Sequence, residues 1–314
     1  MPDWLVFSQS AFCVTVILKY KRRAFGTAFS FCDMNFDQLR TEGYQVFRGV
    51  LSEDEVAKGR DLFFKWYDKN RPIPTPHGII QHYDAGQSAF AWFTRTNQKV
   101  SAIFKALWGA DRLVCSFDGQ CYWKADSMTK RPNKNWLHID QPLNAPEFQC
   151  VQGLVAYSDN ALGSLVVVPG SSKAVAQGVL YDPKGSKAFN IVPESRLAEF
   201  NDPIVVDLKK GDVVLWDSRT LHQNRYSAEE RLVQYVCYLP AAGLSKAQAL
   251  KRINYYLDKR STSHWPYPVR VNAKQPQVYG DKSKLIDYSK VDESEEGKLW
   301  LAAHNFEIAQ LVGL

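Results

Sequence analysis

Two histidines, an aspartate and an arginine carry the chemical signal of this chain. His138 and Asp140 stand two residues apart, His222 lies far downstream, and Arg231 follows it by nine residues. Two imidazoles and one carboxylate form the ligand set that holds a non-haem Fe(II) while leaving coordination positions open. On a strand, residues two apart share a face, roughly 6–7 Å apart along the backbone, so His138 and Asp140 can reach one ion. A guanidinium offers a carboxylate a fixed two-pronged donor, so Arg231 suits a dicarboxylate cosubstrate at that iron. Each element alone is weak: an aspartate shortly before Pro142 often caps a turn, and a lone histidine is more often structural than a ligand. Their order, spacing and placement agree, and the conjunction predicts an iron centre.

Those side chains need a frame. Phe36, Leu39 and Gly43–Phe47 read as a short helix running into an edge strand. Ser52–Glu55 is a capping box that starts an amphipathic helix over Val56–Tyr67. Asn97 caps a second helix, with Val100, Ile103, Phe104 and Leu107 at helical spacing. Strands are then predicted at 113–123, 150–157, 164–168, 204–206, 212–216 and 232–239, punctuated by Gly, Pro and Asn. Helix returns near 247–257 and 299–311. The pattern predicts a mostly β fold with flanking helices around a jelly-roll core. His222 falls just past the 212–216 strand and a polar turn. Arg231 opens an apolar strand and shares its face with Val233, Tyr235 and Cys237, where a cation is costly without an anionic partner.

Residues 1–33 read as an N-terminal extension, disordered or not native, ahead of a second start at Met34. Their apolar run Ala11–Leu18 precedes Lys19, Lys21, Arg22 and Arg23, the reverse of a secretory signal, and is too short to span a bilayer. Their scarcity of acidic residues leaves organelle targeting open. Residues 34–314 are expected to form a single domain with its jelly-roll core at about 110–240 and a helical region at 241–314. The chain of 314 residues is 45% hydrophobic, enough for a large core, and its 9 Trp, 15 Tyr and 17 Phe favour enclosed pockets. A net charge of +6 without a long basic run argues against a nucleic-acid partner and is compatible with an anionic small-molecule substrate. The six cysteines show no C-x-x-C spacing, so buried reduced thiols and a cytoplasmic location are expected, with no membrane association.

The chain resembles the phytanoyl-CoA dioxygenase-like group of Fe(II)/2-oxoglutarate oxygenases over about Asn35–Pro240. The likeness rests on Gly43–Ser52, the His138–Asp140 strand, Gly163–Lys173 and Trp216–Asn224. It implies a double-stranded β-helix (a cupin-like jelly roll), with His138, Asp140 and His222 on iron and Arg231 on the distal carboxylate of 2-oxoglutarate. Gly163-Ser164 departs mildly from the family's usual pair of small residues, and nothing before 35 or after 240 matches a motif. Asp140 disfavours a halogenase-like variant, which lacks this carboxylate. The absence of a second arginine shortly after Arg231 disfavours a nucleic-acid demethylase.

Candidate substrate contacts are Trp92 and Arg95, a flat apolar surface beside a cation, together with Asp118 and Gln152 near the metal strands. Asp126–Asn135, carrying Lys130, Arg131 and Lys134, reads as a mobile loop able to serve as a lid. The expected activity is an Fe(II)- and 2-oxoglutarate-dependent dioxygenase that uses O2, hydroxylates a small organic molecule and releases succinate and CO2. The alternative is a jelly-roll or cupin-like metal- or ligand-binding protein that does not use 2-oxoglutarate. Arg231 separates the two.

Overall fold

The structure, a computed structural model, describes residues 34–163 and 165–314. The N-terminal extension read from the sequence lies outside the described residues. Twelve strands occur among them: β1 (Tyr44–Phe47), β2 (Ile79–Ile80), β3 (Leu113–Cys115), β4 (Gln120–Trp123), β5 (His138–Ile139), β6 (Val151–Ala156), β7 (Leu165–Val167), β8 (Asn190–Ile191), β9 (Ile204–Val205), β10 (Val213–Asp217), β11 (His222–Asn224) and β12 (Arg231–Pro240). The α-helices are α1 (Asp37–Glu42), α2 (Glu53–Asn70), α3 (Ala89–Thr96), α4 (Gln98–Trp108), α5 (Ser171–Ala176), α6 (Lys246–Leu257), α7 (Glu295–Ala303) and α8 (Asn305–Val312).

The strands form two antiparallel sheets. The larger runs β1-β10-β6-β12-β4-β2, with β3 also paired to β12; the smaller runs β8-β5-β11-β7-β9. Inward side chains of both sheets merge in one apolar cluster that includes Trp123, Leu154, Val167, Trp216 and Val233. The sheets therefore close on each other, and the interior between them is where His222 and Arg231 point. Helices cover the outer face of the larger sheet, with Phe63, Phe90 and Tyr122 meeting edge to face. Among the described residues helix outnumbers strand, so "mostly β" describes the core and not the whole of what is described.

Local chemistry explains the elements. Ser52 and Glu55 complete the capping box of α2, and the Asn97 side chain accepts from Lys99 N and Val100 N to start α4. The single strand predicted at 113–123 is broken into β3 and β4, which both pair with β12, because the 116–119 stretch between them bulges out of register; there the Arg95 guanidinium takes the carbonyls of Gly86 and Asp118. Four cysteines, Cys115, Cys121, Cys150 and Cys237, are free and buried; Cys13 and Cys32 lie outside the described residues. No helix among the described residues is long and apolar enough to cross a membrane.

Gly119 ends that bulge. A Cβ there would collide with the Ile80 carbonyl oxygen, a backbone atom that cannot swing aside. Gly119→Ala is expected to lower unfolding free energy by about 1–3 kcal/mol, the range for overpacking. Denaturant melts of the two proteins check this; an unchanged midpoint contradicts it.

Candidate metal centre

Strand register brings the two histidines together. His138 on β5 pairs directly with His222 on β11, and β11 is flanked on its other side by β7. Each ring is fixed by its own backbone: His138 Nδ1 lies 3.1 Å from Trp136 O, and His222 Nδ1 lies 2.9 Å from Thr220 O. A carbonyl only accepts, so each Nδ1 carries the proton and each Nε2 presents its lone pair. Asp140 follows β5 and is held by its own N–H, which donates to Ser218 O at 2.9 Å. Its Oδ2 lies 3.3 Å from His222 Nε2 and 3.9 Å from His138 Nε2. One ligand atom from each of the three residues falls within 4.8 Å of the others.

The protonation states suit a divalent cation. Burial, reinforced by the neighbouring His222 ring, pushes His138 down to about 3, so it is a neutral donor. Burial alone would raise the Asp140 carboxyl, but the surrounding imidazoles of His264, His222 and His138 outweigh it and hold Asp140 below the usual carboxylate range. Neutral imidazoles and an ionised carboxylate are the forms that ligate a metal. Outer partners fix the set: Gln152 donates to Asp140 Oδ2 at 3.0 Å, and Trp136 stacks on His138 with ring centroids 4.8 Å apart. His77 stacks in turn on Trp136 at 4.1 Å.

Arg231 is buried on β12, beside Trp123 of the inner cluster, with its guanidinium 5.2 Å from that ring. It donates to Gly163 O at 3.2 Å and, at 3.4 Å, to the Tyr235 hydroxyl, while Nε has no partner. Trp216 belongs to the same cluster; its ring lies 5.4 Å from that of His222, and its Nε1 is also without a partner. These unmatched buried donors, one beside Trp123 and one beside the His222 ring, fit an anionic ligand such as a dicarboxylate.

The other sequence candidates divide. Gln152 reaches the metal cluster, and Asp118 is buried close enough to Asp140 for the two carboxylates to repel. Trp92 and Arg95 are not brought there. Both are fully buried on α3, where Trp92 donates to Gln87 and Arg95 is occupied by two backbone carbonyls. The 126–135 loop is tied at several points: Asp126 N donates to Ala228 O, Asn133 exchanges two bonds with Tyr226, Arg131 donates to Pro76 O, and Met128 is buried. Sequence reasoning missed His264 and Trp265, which donate to the Asp140 carbonyl from 3.2 and 3.3 Å. The only signal was a histidine and a tryptophan in an irregular proline-containing stretch. Beyond the cluster, the Phe189 ring packs 4.7 Å from His138 and lines a groove of about 560 Å³ with Leu143, Tyr181 and Ile191.

Comparison with known proteins agrees with this geometry. Residues 39–228 match the family Phytanoyl-CoA dioxygenase (PhyH). The chain belongs to that family, and with it to the Fe(II)/2-oxoglutarate oxygenase superfamily. It is 30% identical over 239 residues to Ava biosynthesis cluster protein O of Aspergillus versicolor, covering 65% of this chain and 76% of that protein. Its fold is similar to that of the non-heme alpha ketoglutarate dependent carbocyclase SnoK from nogalamycin biosynthesis, with a TM-score of 0.50 at 19% identity over 69% of this chain and 88% of SnoK. GlcNAc Inducible Gene 2 product GIG2 of Candida albicans gives a TM-score of 0.58 at 15% identity over 88% of this chain and 75% of its own.

Gln152→Leu keeps the side-chain bulk and removes the donor to Asp140. Anaerobic Fe(II) titration is expected to show affinity weakened about 10–100-fold, the usual effect of losing an outer partner. Unchanged affinity would show that this bond does not orient the carboxylate.

Proposed function

We propose that this protein is an Fe(II)- and 2-oxoglutarate-dependent dioxygenase that hydroxylates a small organic molecule, releasing succinate and CO2. The observation that carries this reading is a buried arginine with no carboxylate within ion-pair distance among the described residues, lying over Trp123 of the inner cluster whose Trp216 meets the His222 ring. In this reading the two closed sheets are a double-stranded β-helix. His138, Asp140 and His222 hold the iron, and Arg231 binds the distal carboxylate of 2-oxoglutarate. The bound iron and 2-oxoglutarate supply the oxidising chemistry with O2.

The protein's part is orientation and exclusion. The Nδ1 bonds to Trp136 O and Thr220 O keep both imidazoles aimed at one point, and Gln152 keeps Asp140 turned toward them. Trp123, Trp216 and Val233 keep water from the interior. Membership of a biosynthesis cluster by the Aspergillus relative supports a small-molecule substrate of biosynthetic origin. The groove beside Phe189 is of a size to admit the apolar part of such a molecule.

With Fe(II), ascorbate and air, succinate release from 2-oxoglutarate is expected, and a substrate screen scored by that release identifies what is oxidised. Arg231→Met should raise the KM for 2-oxoglutarate about 10–100-fold, the equivalent of losing a charged hydrogen-bonded pair. Absence of succinate from the metal-loaded wild type favours the alternative, a cupin-like binding protein. An unchanged KM in the variant removes Arg231 from cosubstrate binding.

A further inference from the structure

The segment after α6 folds into a strap over the metal centre. Thr262 bridges Val271, Ser263 N donates to Arg270 O, and Asn272 N donates to Ser261 O, so the strap is closed on itself. It docks on the 116–119 bulge in both directions: Thr262 N donates to Phe117 O at 3.0 Å, and Phe117 N donates to Thr262 Oγ1 at 2.9 Å. The buried Arg252 guanidinium fastens it further, taking the carbonyls of Pro266, Cys115, Leu311 and Val312. The strap's His264 is thereby held against Asp140.

The tautomer of His264 follows from its partner. Nε2 lies 3.2 Å from the Asp140 carbonyl, which can only accept, so Nε2 carries the proton in the neutral ring. Nδ1 is then a lone-pair acceptor, and it faces Asp140 Oδ2 at 3.9 Å. Two acceptors across that gap have no proton to share. Asp140 Oδ2 already accepts from Gln152; His264 Nδ1 has no hydrogen bond of its own among the described residues.

A second acceptor stands on the bulge that the strap grips. The Asp118 carboxyl is buried, with Oδ2 accepting from the Ser116 hydroxyl at 2.8 Å. Burial first, and the nearby Asp140 charge in addition, push it up to about 7. In either protonation state it keeps an oxygen able to accept. Its neighbour Arg95 does not pair with the carboxyl, because that guanidinium is committed to the Gly86 and Asp118 carbonyls.

We propose that His264 Nδ1 and the Asp118 carboxyl are substrate-binding groups that select a molecule presenting a hydroxyl or amine hydrogen close to its reacting carbon. This rests on the oxygenase reading and refines the substrate class: a hydrogen-bond donor beside the iron, in place of the anion that net charge suggested.

Four probes of similar shape test it: cyclohexanol, cyclohexylamine, methoxycyclohexane and cyclohexanecarboxylate. Each is titrated anaerobically into the whole protein at saturating Fe(II) and 2-oxoglutarate, following the visible charge-transfer band. Cyclohexanol and cyclohexylamine are expected to perturb the band with half-saturation about tenfold lower than the ether or the acid, a difference near one lost hydrogen bond. In His264→Phe and, separately, Asp118→Asn, which retains an acceptor for Ser116, that preference should fall severalfold, with thermal melts reporting folding. Equal perturbation by the ether or acid, no perturbation by either donor probe, or a preference retained in both folded variants overturns the proposal. Failure of the wild type to form the band at all defeats the oxygenase reading itself, and the substrate assignment with it.

Discussion

Three ligand atoms, Asp140 Oδ2 and the Nε2 atoms of His138 and His222, converge on one point, and this constraint organises the molecule. Asp140 is nearly buried, and burial pushes both His138 and His264 toward the neutral form. A divalent ion would neutralise the carboxylate and use the lone pairs that the Nδ1 contacts leave on His138 and His222. What makes this possible is one antiparallel pairing, His138 opposite His222 across β5 and β11. A slip by a single residue would turn one ring out of the interior between the sheets.

The two sheets divide the work. The smaller sheet supplies the histidines, and the turn between β10 and β11 receives the Asp140 N–H at Ser218 O. The larger sheet supplies Gln152 from β6 and Arg231 from β12, both facing inward. Its outer face is sealed by helices in which Arg95 and Arg252 are buried on backbone carbonyls, an arrangement that binds the irregular 116–119 and 262–266 segments to the regular core. Arg95 and Arg252 are buried outside the inner cluster, under the helices; Arg231 is the buried cation that lies against that cluster, over the Trp123 ring, and so is the one positioned for a ligand.

The parts legible in the sequence were those with a period. Alternation placed His138 and Asp140 on one side of a strand, and the apolar run from Arg231 set that guanidinium on the inner face with Val233 and Tyr235. The capping box at Ser52 and the Asn97 cap announced their helices, and the structure begins α2 and α4 there. Trp92 and Arg95 illustrate the limit: a cation next to an aromatic reads equally as a binding surface or as a cation packed on a ring, and the structure has the latter, 5.1 Å apart. His264 was invisible for a different reason. Its placement depends on contacts between residues far apart in sequence, within a stretch that has neither helical nor strand periodicity. Net charge likewise says nothing about which sign or donor pattern lines one cavity.

The most direct test is anomalous diffraction at the iron edge from crystals grown anaerobically with Fe(II) and 2-oxoglutarate. The account predicts a single iron peak bonded to His138 Nε2, Asp140 and His222 Nε2, with 2-oxoglutarate extending from it to the Arg231 guanidinium. An iron peak that excludes any of those three ligands, or 2-oxoglutarate bound away from Arg231, would contradict it.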